Sequence, residues 1–302
     1  MQNWFISYNC LSYFFYEHGE EIYPQIVGPK LPDELHPLGA TLTSINAASN
    51  TISIQKAVKN YVSYRSKYKN EKPGTGAAIS SLFNELKGLS QFDWKFTTKY
   101  FCPDCKETFE RTFSSEPLFT ISTFSLEEVS GFCSIAIKRT LSSYLTTCHK
   151  HDKNQLSIEK KVINIPDYYC CILEYAEDFS RGKLEVVKFP VLKIEEDFEC
   201  ENMSFELKGI VYFQHLHYTA HVKGIYHPKL FPNKNFGWFY HDGIKDGIFE
   251  GKTVKGLLFE NTPEYEIDIR NSQLKPYILI YKVYKSPEVW SIFTLTIYKC
   301  FK

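Results

Sequence analysis

The spacing of apolar residues predicts helices in the first third of the chain. From Ser44 to Tyr68 the apolar positions fit helical spacing better than strand alternation, and a second helical segment runs from Ala77 to Leu86. A proline and two glycines between Lys72 and Gly76 separate the two segments, because these residues interrupt regular structure. A further helical pattern lies between Ser125 and Tyr144. Four prolines near the end of residues 1–37 indicate a leader that precedes the main domain.

Beyond residue 95 the pattern changes to short runs of β-branched and aromatic residues, which are typical of strands. The runs are Phe109 to Phe113, Val162 to Ile165, Cys170 to Tyr175, Leu184 to Phe189, Phe205 to Tyr212, Tyr218 to Lys223 and Pro276 to Tyr284. We therefore expect the C-terminal part of the chain to be mostly antiparallel sheet.

Composition favours a folded protein that needs no disulfides. The 302 residues are 43% hydrophobic and 16% aromatic, which is ample for a buried core. Lysine plus arginine number 35 and aspartate plus glutamate number 35, so no net charge attracts nucleic acid or an anionic membrane surface. No apolar run approaches the roughly 20 residues of a spanning helix. Neither nucleic acid nor membrane is expected as a partner.

The cysteines predict a reducing compartment. There are nine, an odd number at irregular spacing, and no secretory signal pattern precedes them. Reduced thiols in the cytoplasm or nucleus are the simpler interpretation.

Two short motifs are candidate ligands for a structural zinc ion. Cys102-Pro-Asp-Cys105 offers two thiolates, and Cys148-His-Lys-His151 supplies a second pair at the same two-residue gap, with His149 as an alternative ligand to His151. Four protein ligands leave no coordination position for a substrate, so the role would be structural. The competing interpretation is that these are ordinary reduced cysteines beside a solvated cluster of histidine and lysine.

The segment that follows the run Phe205 to Tyr212 carries candidate catalytic chemistry. It reads His217-Tyr-Thr-Ala220 and then Trp238-Phe-Tyr-His-Asp242. This order resembles the histidine box and acid box of the ubiquitin-specific proteases, a family of thiol hydrolases. The resemblance implies that His217 takes the proton from a cysteine and that Asp242 holds the imidazole in the required tautomer. It also implies that Tyr218 and Trp238 form walls of the cleft that takes an extended peptide.

The nucleophile expected from the resemblance is missing. The stretch Leu38-Gly-Ala-Thr41 resembles the family's nucleophile box, yet Leu42 stands where the family has cysteine. Leucine has no ionisable sulfur, so neither attack on an isopeptide carbonyl nor an acyl-enzyme is possible there. The alternative nucleophile is Cys10, which lacks the family's flanking glycine and its oxyanion-hole asparagine.

The resemblance, which runs from about Leu38 to Tyr284, implies an α+β, papain-like cysteine-protease fold. Its parts would be a helical N-terminal half, an antiparallel β-sheet half and a zinc-ribbon fingers insertion at about residues 96–165, within a domain of residues 38–302. The implied function is binding of ubiquitin or a ubiquitin-like modifier, with thiol isopeptidase activity impaired or lost. Two alternatives stay open: an active deubiquitinase that uses Cys10 with His217 and Asp242, and a zinc-stabilised interaction domain unrelated to ubiquitin.

Overall fold

The computed structural model is dominated by β-sheet. It describes residues 56, 60, 63, 92–102, 105–114, 118–142, 157–176, 187–201, 203–214, 217–224, 237–249 and 252–285. Within these ranges the strands are β1 (Lys95–Phe101), β2 (Thr108–Ser114), β3 (Phe119–Ile121), β4 (Ser157–Asn164), β5 (Tyr168–Leu173), β6 (Val191–Lys193), β7 (Asp197–Cys200), β8 (Met203–Gln214), β9 (His217–Gly224), β10 (Gly237–Phe249), β11 (Lys252–Glu260), β12 (Glu266–Asp268) and β13 (Pro276–Lys285).

One large sheet carries most of the fold. Its strand order is β11-β10-β9-β8-β13-β5-β3, and β7 pairs with part of β8. All neighbours are antiparallel except β3 and β5, which run parallel. The central strand β13 is buried at almost every position, because it lies between β8 and β5 with both of its faces covered. Away from this sheet, β6 pairs with β12 and fastens the chain that leads into β13.

A second sheet contains three strands in the order β2-β1-β4. One face of β1, with Phe96, Thr98 and Tyr100, is buried, and the other face carries the exposed Lys95 and Lys99 beside the buried Thr97. This sheet is assembled from two separate stretches of chain, because β3 and the helices lie between β2 and β4 in sequence.

Two short helices replace the single helix expected between Ser125 and Tyr144. They are α1 (Thr123–Glu128), whose first turn is capped by the Ser122 side chain, and α2 (Cys133–Ser142). The break falls at Gly131, whose φ of +83° is one that other residues adopt only with strain. A Cβ atom at this position would lie 2.1 Å from the Val191 carbonyl oxygen, so the tight approach of the chain to β6 requires glycine.

Most of the predicted strands are present, with one correction. The expected runs coincide with β2, β4, β5, β8, β9 and β13 to within a few residues, which confirms the mostly antiparallel C-terminal part. The expected strand from Leu184 to Phe189 is wrong over its described residues, 187–189, which form no regular structure, and the strand begins instead at Val191. Of the predicted N-terminal helices, only residues 56, 60 and 63 are described, and all three are helical and exposed. The leader of residues 1–37 and the helix of 77–86 lie outside the described residues.

One hydrophobic core joins the two sheets. Trp94, Tyr169 and Tyr281 are fully buried in it, and Phe92 of the segment before β1 stacks on Tyr168 with ring centroids 5.8 Å apart.

No helix within the described ranges is long and apolar enough to cross a membrane.

Candidate functional site

Three neighbouring strands of the large sheet carry the candidate site. Strand β9 lies between β8 and β10, and the register sets Thr219 directly opposite Asp242 on β10 and opposite Tyr212 on β8. His217, the first residue of β9, pairs with Gln214. The histidine box and the acid box therefore lie on adjacent strands.

Positions 217 and 242 share one face of this sheet. Residues two apart along a strand point to the same side, so position 217 lies on the face of Thr219 and hence of Asp242. Diagonal neighbours of this kind on paired strands lie about 7–8 Å apart. The Asp242 side chain is buried, whereas the side chain of His217 lies outside the described part of the structure. We call this side of β8, β9 and β10 the polar face.

The register does not bring Tyr218 and Trp238 together. Trp238 pairs with Lys223 and lies on the polar face, whereas Tyr218 lies on the opposite face. There the Tyr218 ring contacts Phe213 at 4.7 Å and Tyr277 at 6.1 Å between centroids. Both residues are buried. The two predicted cleft walls therefore lie on opposite faces of the sheet.

A second histidine on the polar face was missed by the sequence analysis. His221 follows His217 by four residues, and this even spacing was the available signal, because it sets both positions on one side of a strand. His221 is 2% exposed, its Nδ1 lies 2.9 Å from the Tyr212 hydroxyl, and its ring packs 5.0 Å from that of Tyr240. Burial lowers the pKa of His221 to about 4, so the imidazole is neutral near pH 7.

The buried His221 predicts a specific dependence of stability on pH. The unfolded chain takes up the imidazole proton near its ordinary pKa of 6.5, whereas the folded chain resists protonation down to about pH 4. Stability is therefore complete above the unfolded value and is lost as the pH falls from 6.5 towards 4. We expect a loss of about 2 kcal/mol in the free energy of unfolding between about pH 7 and pH 5.

Denaturant titrations at several pH values, compared with those of His221→Phe, measure the contribution of His221 to the free energy of unfolding. Below pH 6.5 the unfolding free energy of the variant should fall less steeply with decreasing pH than that of the wild type. The His221 ring of the wild type should show no NMR titration near pH 6.5. A His221 ring that titrates with an ordinary pKa would contradict the prediction.

Charged side chains continue the polar face away from the histidine box. Lys208 Nζ lies 2.8 Å from Glu206 Oε1, and Lys223 Nζ lies 3.0 Å from the same atom and 2.6 Å from Glu196 Oε1. The Lys223 Nζ also lies 5.9 Å from the centre of the Trp238 ring. Glu196 comes from the segment between β6 and β7, so its ion pair with Lys223 fastens that segment to the sheet.

A cleft of about 530 Å³ opens on the polar face beside His221. Tyr212 and His221 line it from the sheet, and residues between 261 and 274, the segment that leads into β13, form the rest of its lining. The cleft thus lies on the same face of the sheet as the histidine and acid boxes.

The predicted metal ligands are only partly described. Cys102 and Cys105 occupy the turn between β1 and β2, where Cys102 N donates to the Glu107 carbonyl at 3.0 Å and Lys106 N donates to the Cys102 carbonyl at 2.8 Å. Neither cysteine is in a disulfide. Cys148 and His151, with the alternative His149, lie outside the described residues. Within the described ranges no group of three or more potential ligands could hold a metal ion.

The two positions considered for the nucleophile, Cys10 and Leu42, lie outside the described residues. Three of the described cysteines are core residues instead. Cys133, Cys170 and Cys171 are buried, and burial raises the pKa of each thiol, that of Cys171 to about 12. These thiols are protonated near pH 7 and are poor nucleophiles.

Solved structures share this fold at low sequence identity. A structure of the SAGA DUB module that contains a Ubp8 variant with Sgf11, Sus1 and Sgf73 matches with a TM-score of 0.54 at 9% identity, over 93% of this chain and 67% of that chain. Another structure of the Ubp8-Sgf11-Sgf73-Sus1 module gives 0.51 at 12% identity, over 92% and 64%. The Pan2 pseudoubiquitin hydrolase-RNA exonuclease module of Saccharomyces cerevisiae gives 0.50 at 14% identity, over 94% and 53%.

These similarities support a fold of the ubiquitin-hydrolase type and no particular member. This chain spans about two thirds of the length of the matched SAGA module chains and about half of the matched Pan2 chain. No protein-family profile and no curated protein matches the sequence.

Proposed function

We propose that this chain is a ubiquitin-specific-protease-like domain that binds ubiquitin or a ubiquitin-like modifier and has lost, or nearly lost, isopeptidase activity. The observation that carries the proposal is the register of β9 and β10, which sets positions 217 and 242 on one face of adjacent strands. The fold shared with a DUB module and with a pseudoubiquitin hydrolase supports the kinship.

Loss of hydrolysis follows from the sequence. Leu42 stands in the segment that resembles the nucleophile box, and a leucine cannot supply a thiolate. Binding does not require that thiolate, because an extended peptide is held by main-chain hydrogen bonds and side-chain pockets. His217 and Asp242 would then persist as polar structure beside the peptide cleft, with Tyr218 and Trp238 contributing contacts.

The proposed zinc site is structural. Cys102 and Cys105 would supply two thiolates from the β1–β2 turn, and Cys148 with His151 would complete a tetrahedral site. The register supports this pairing, because Ser157, the first residue of β4, lies opposite Phe101 at the same end of the small sheet as that turn. His151 precedes Ser157 by six positions, a length of chain that can span at most about 20 Å.

A ubiquitin that carries a C-terminal thiol-reactive group tests both halves of the proposal. The wild-type chain should form no covalent adduct, because its site lacks the thiol. Leu42→Cys should form one, since it restores the thiol of the proposed nucleophile box, and His217→Ala in that background should slow the reaction by at least about 100-fold.

Two controls separate the alternatives. Thr43→Cys adds a thiol one residue away and should remain unreactive. An adduct on the wild-type chain that Cys10→Ser abolishes would overturn the loss of activity and establish the active alternative. A Leu42→Cys variant that is as inert as wild type would count against the placement of the nucleophile box.

A further inference from the structure

Within the described ranges, the small sheet ends at β4 with one edge of that strand open. Strand β4 pairs with β1 on one side, and no described strand pairs with its other side. Such an edge presents a row of backbone N–H and C=O groups that a further strand can use. Ile163, near the end of β4, exposes half of its surface. The open edge and this apolar side chain make β4 a surface on which another strand can pack.

The C-terminal segment begins close to that edge. At the end of β13, Val283 N donates to the Asp167 carbonyl at 2.8 Å, and Lys285 Nζ lies 3.2 Å from Asp167 Oδ1. Asn164, the last residue of β4, precedes Asp167 by three positions, a length of chain that spans at most about 11 Å. The chain therefore leaves β13 beside the end of β4.

The sequence of the C-terminal segment predicts a strand. Pro287, two positions after the end of β13, has no N–H and cannot extend the ladder of that strand. Beyond it, apolar and polar residues alternate, which is the pattern of a strand with one covered side. The alternating residues are Phe293, Thr294, Leu295, Thr296 and Ile297. No charged residue occurs from Val289 to Tyr298, so the apolar side needs cover from water.

The small sheet offers a matching apolar face. Phe96 and Tyr100 of β1 are buried, and the register sets Val162 and Ile158 of β4 opposite them on the same face. A strand beside β4 can place its apolar side on this face and its threonines on the other. It would then extend the existing core by one strand.

We propose that residues 289–297 form a fourth strand of the small sheet, paired with the open edge of β4. The segment leaves β13 near Asn164 and runs back towards Ser157, so the pairing is antiparallel. Neighbouring strands lie about 4.8 Å apart, so this strand reduces the exposure of Ile163. It also fastens the last part of the sequence to the sheet that carries the turn of Cys102 and Cys105.

Hydrogen exchange of the β4 amides in the full chain tests this pairing. Leu295→Asp sets a charge on the apolar side of the segment, and Thr296→Asp is the matched control that sets the same charge on its polar side. We expect Leu295→Asp to speed the exchange of residues 158–163 at least about tenfold, because their amides lose hydrogen-bond partners. Thr296→Asp should change it by less than about twofold. Unchanged exchange in β13 verifies that each variant is folded.

A second pair of variants keeps the test independent of one substitution. Phe293→Asp should act as Leu295→Asp does, and Thr294→Asp should act as Thr296→Asp does. The proposal is overturned if the β4 amides exchange equally fast in wild type and in both apolar-side variants, or if the polar-side variants have the same effect. Protection of β4 that increases with protein concentration, together with dimers in sedimentation, would also overturn it, because a second copy would then cover the edge.

Discussion

Replacement of Glu206 by leucine is expected to destabilise the fold by about 3–5 kcal/mol, because it removes a carboxylate that pairs with two lysines, one of them the buried Lys208. The side chain of Lys208 is 8% exposed, and its Nζ lies 2.8 Å from Glu206 Oε1. Lys223 would lose the same carboxylate but would keep Glu196. Chemical denaturation of the variant against wild type measures the loss.

Two further variants make the Glu206 prediction specific. Glu199→Leu replaces an exposed carboxylate on β7 and should change the free energy of unfolding by no more than about 0.5 kcal/mol. Lys208→Met in the Glu206→Leu background removes the buried lysine charge as well and should restore most of the stability. A cost below about 1 kcal/mol for Glu206→Leu would show that the ion pairs contribute little.

Acid should weaken the ion pairs that Glu206 makes with Lys208 and Lys223. Burial alone would raise the pKa of Glu206, but hydrogen bonds from Lys208, Tyr284 and Lys223 outweigh it and hold the pKa at about 2. The contribution of this depressed carboxyl is complete above its ordinary pKa of 4.5 and is lost as the pH falls from there towards 2.

Removal of the proposed zinc ion is the second change with a large expected effect. A structural zinc site contributes apparent binding free energies of about 10–16 kcal/mol in small zinc-dependent folds, and that energy becomes folding energy. We therefore expect one zinc per purified chain and a clear drop in melting temperature after treatment with a strong chelator. Elemental analysis and thermal melting measure the two outcomes.

Cysteine variants locate the zinc effect. Cys102→Ser and Cys148→Ser should each lose the metal, whereas Cys200→Ala, which alters a buried cysteine of β7, should retain one zinc per chain. A purified protein that contains no zinc and whose melting temperature is unchanged by the chelator would contradict the zinc site.

The strands of the large sheet were predictable because their signal is local. Strand β13 is a run of buried aromatic and branched residues, and such a run predicts a covered strand from sequence alone. The break between α1 and α2 also had a local signal, since Ser130-Gly131 interrupts the helical pattern. The need for glycine there became evident only from the approach of Val191, which is distant in sequence.

The chemistry of the polar face was only partly predictable. The order of His217 and Asp242 was visible as a motif, but the pairing of their strands depends on a register that the sequence does not state. His221 shares the spacing of a strand face, yet its burial depends on Tyr212 and Tyr240 from neighbouring strands. Glu196 reaches Lys223 from a segment between β6 and β7, and no local pattern predicts such a contact.

Titration of the isotope-labelled chain with ubiquitin, and in parallel with SUMO-type modifiers, tests the central claim most directly. We expect saturable binding of at least one modifier, with shifts at residues 219, 238 and 242 on the polar face that carries the histidine and acid boxes. Trp238→Ala should weaken that binding by at least about tenfold, as expected for an aromatic contact residue on that face. If the folded, zinc-replete chain binds none of these modifiers, the proposal that it is a ubiquitin- or ubiquitin-like-binding domain is contradicted.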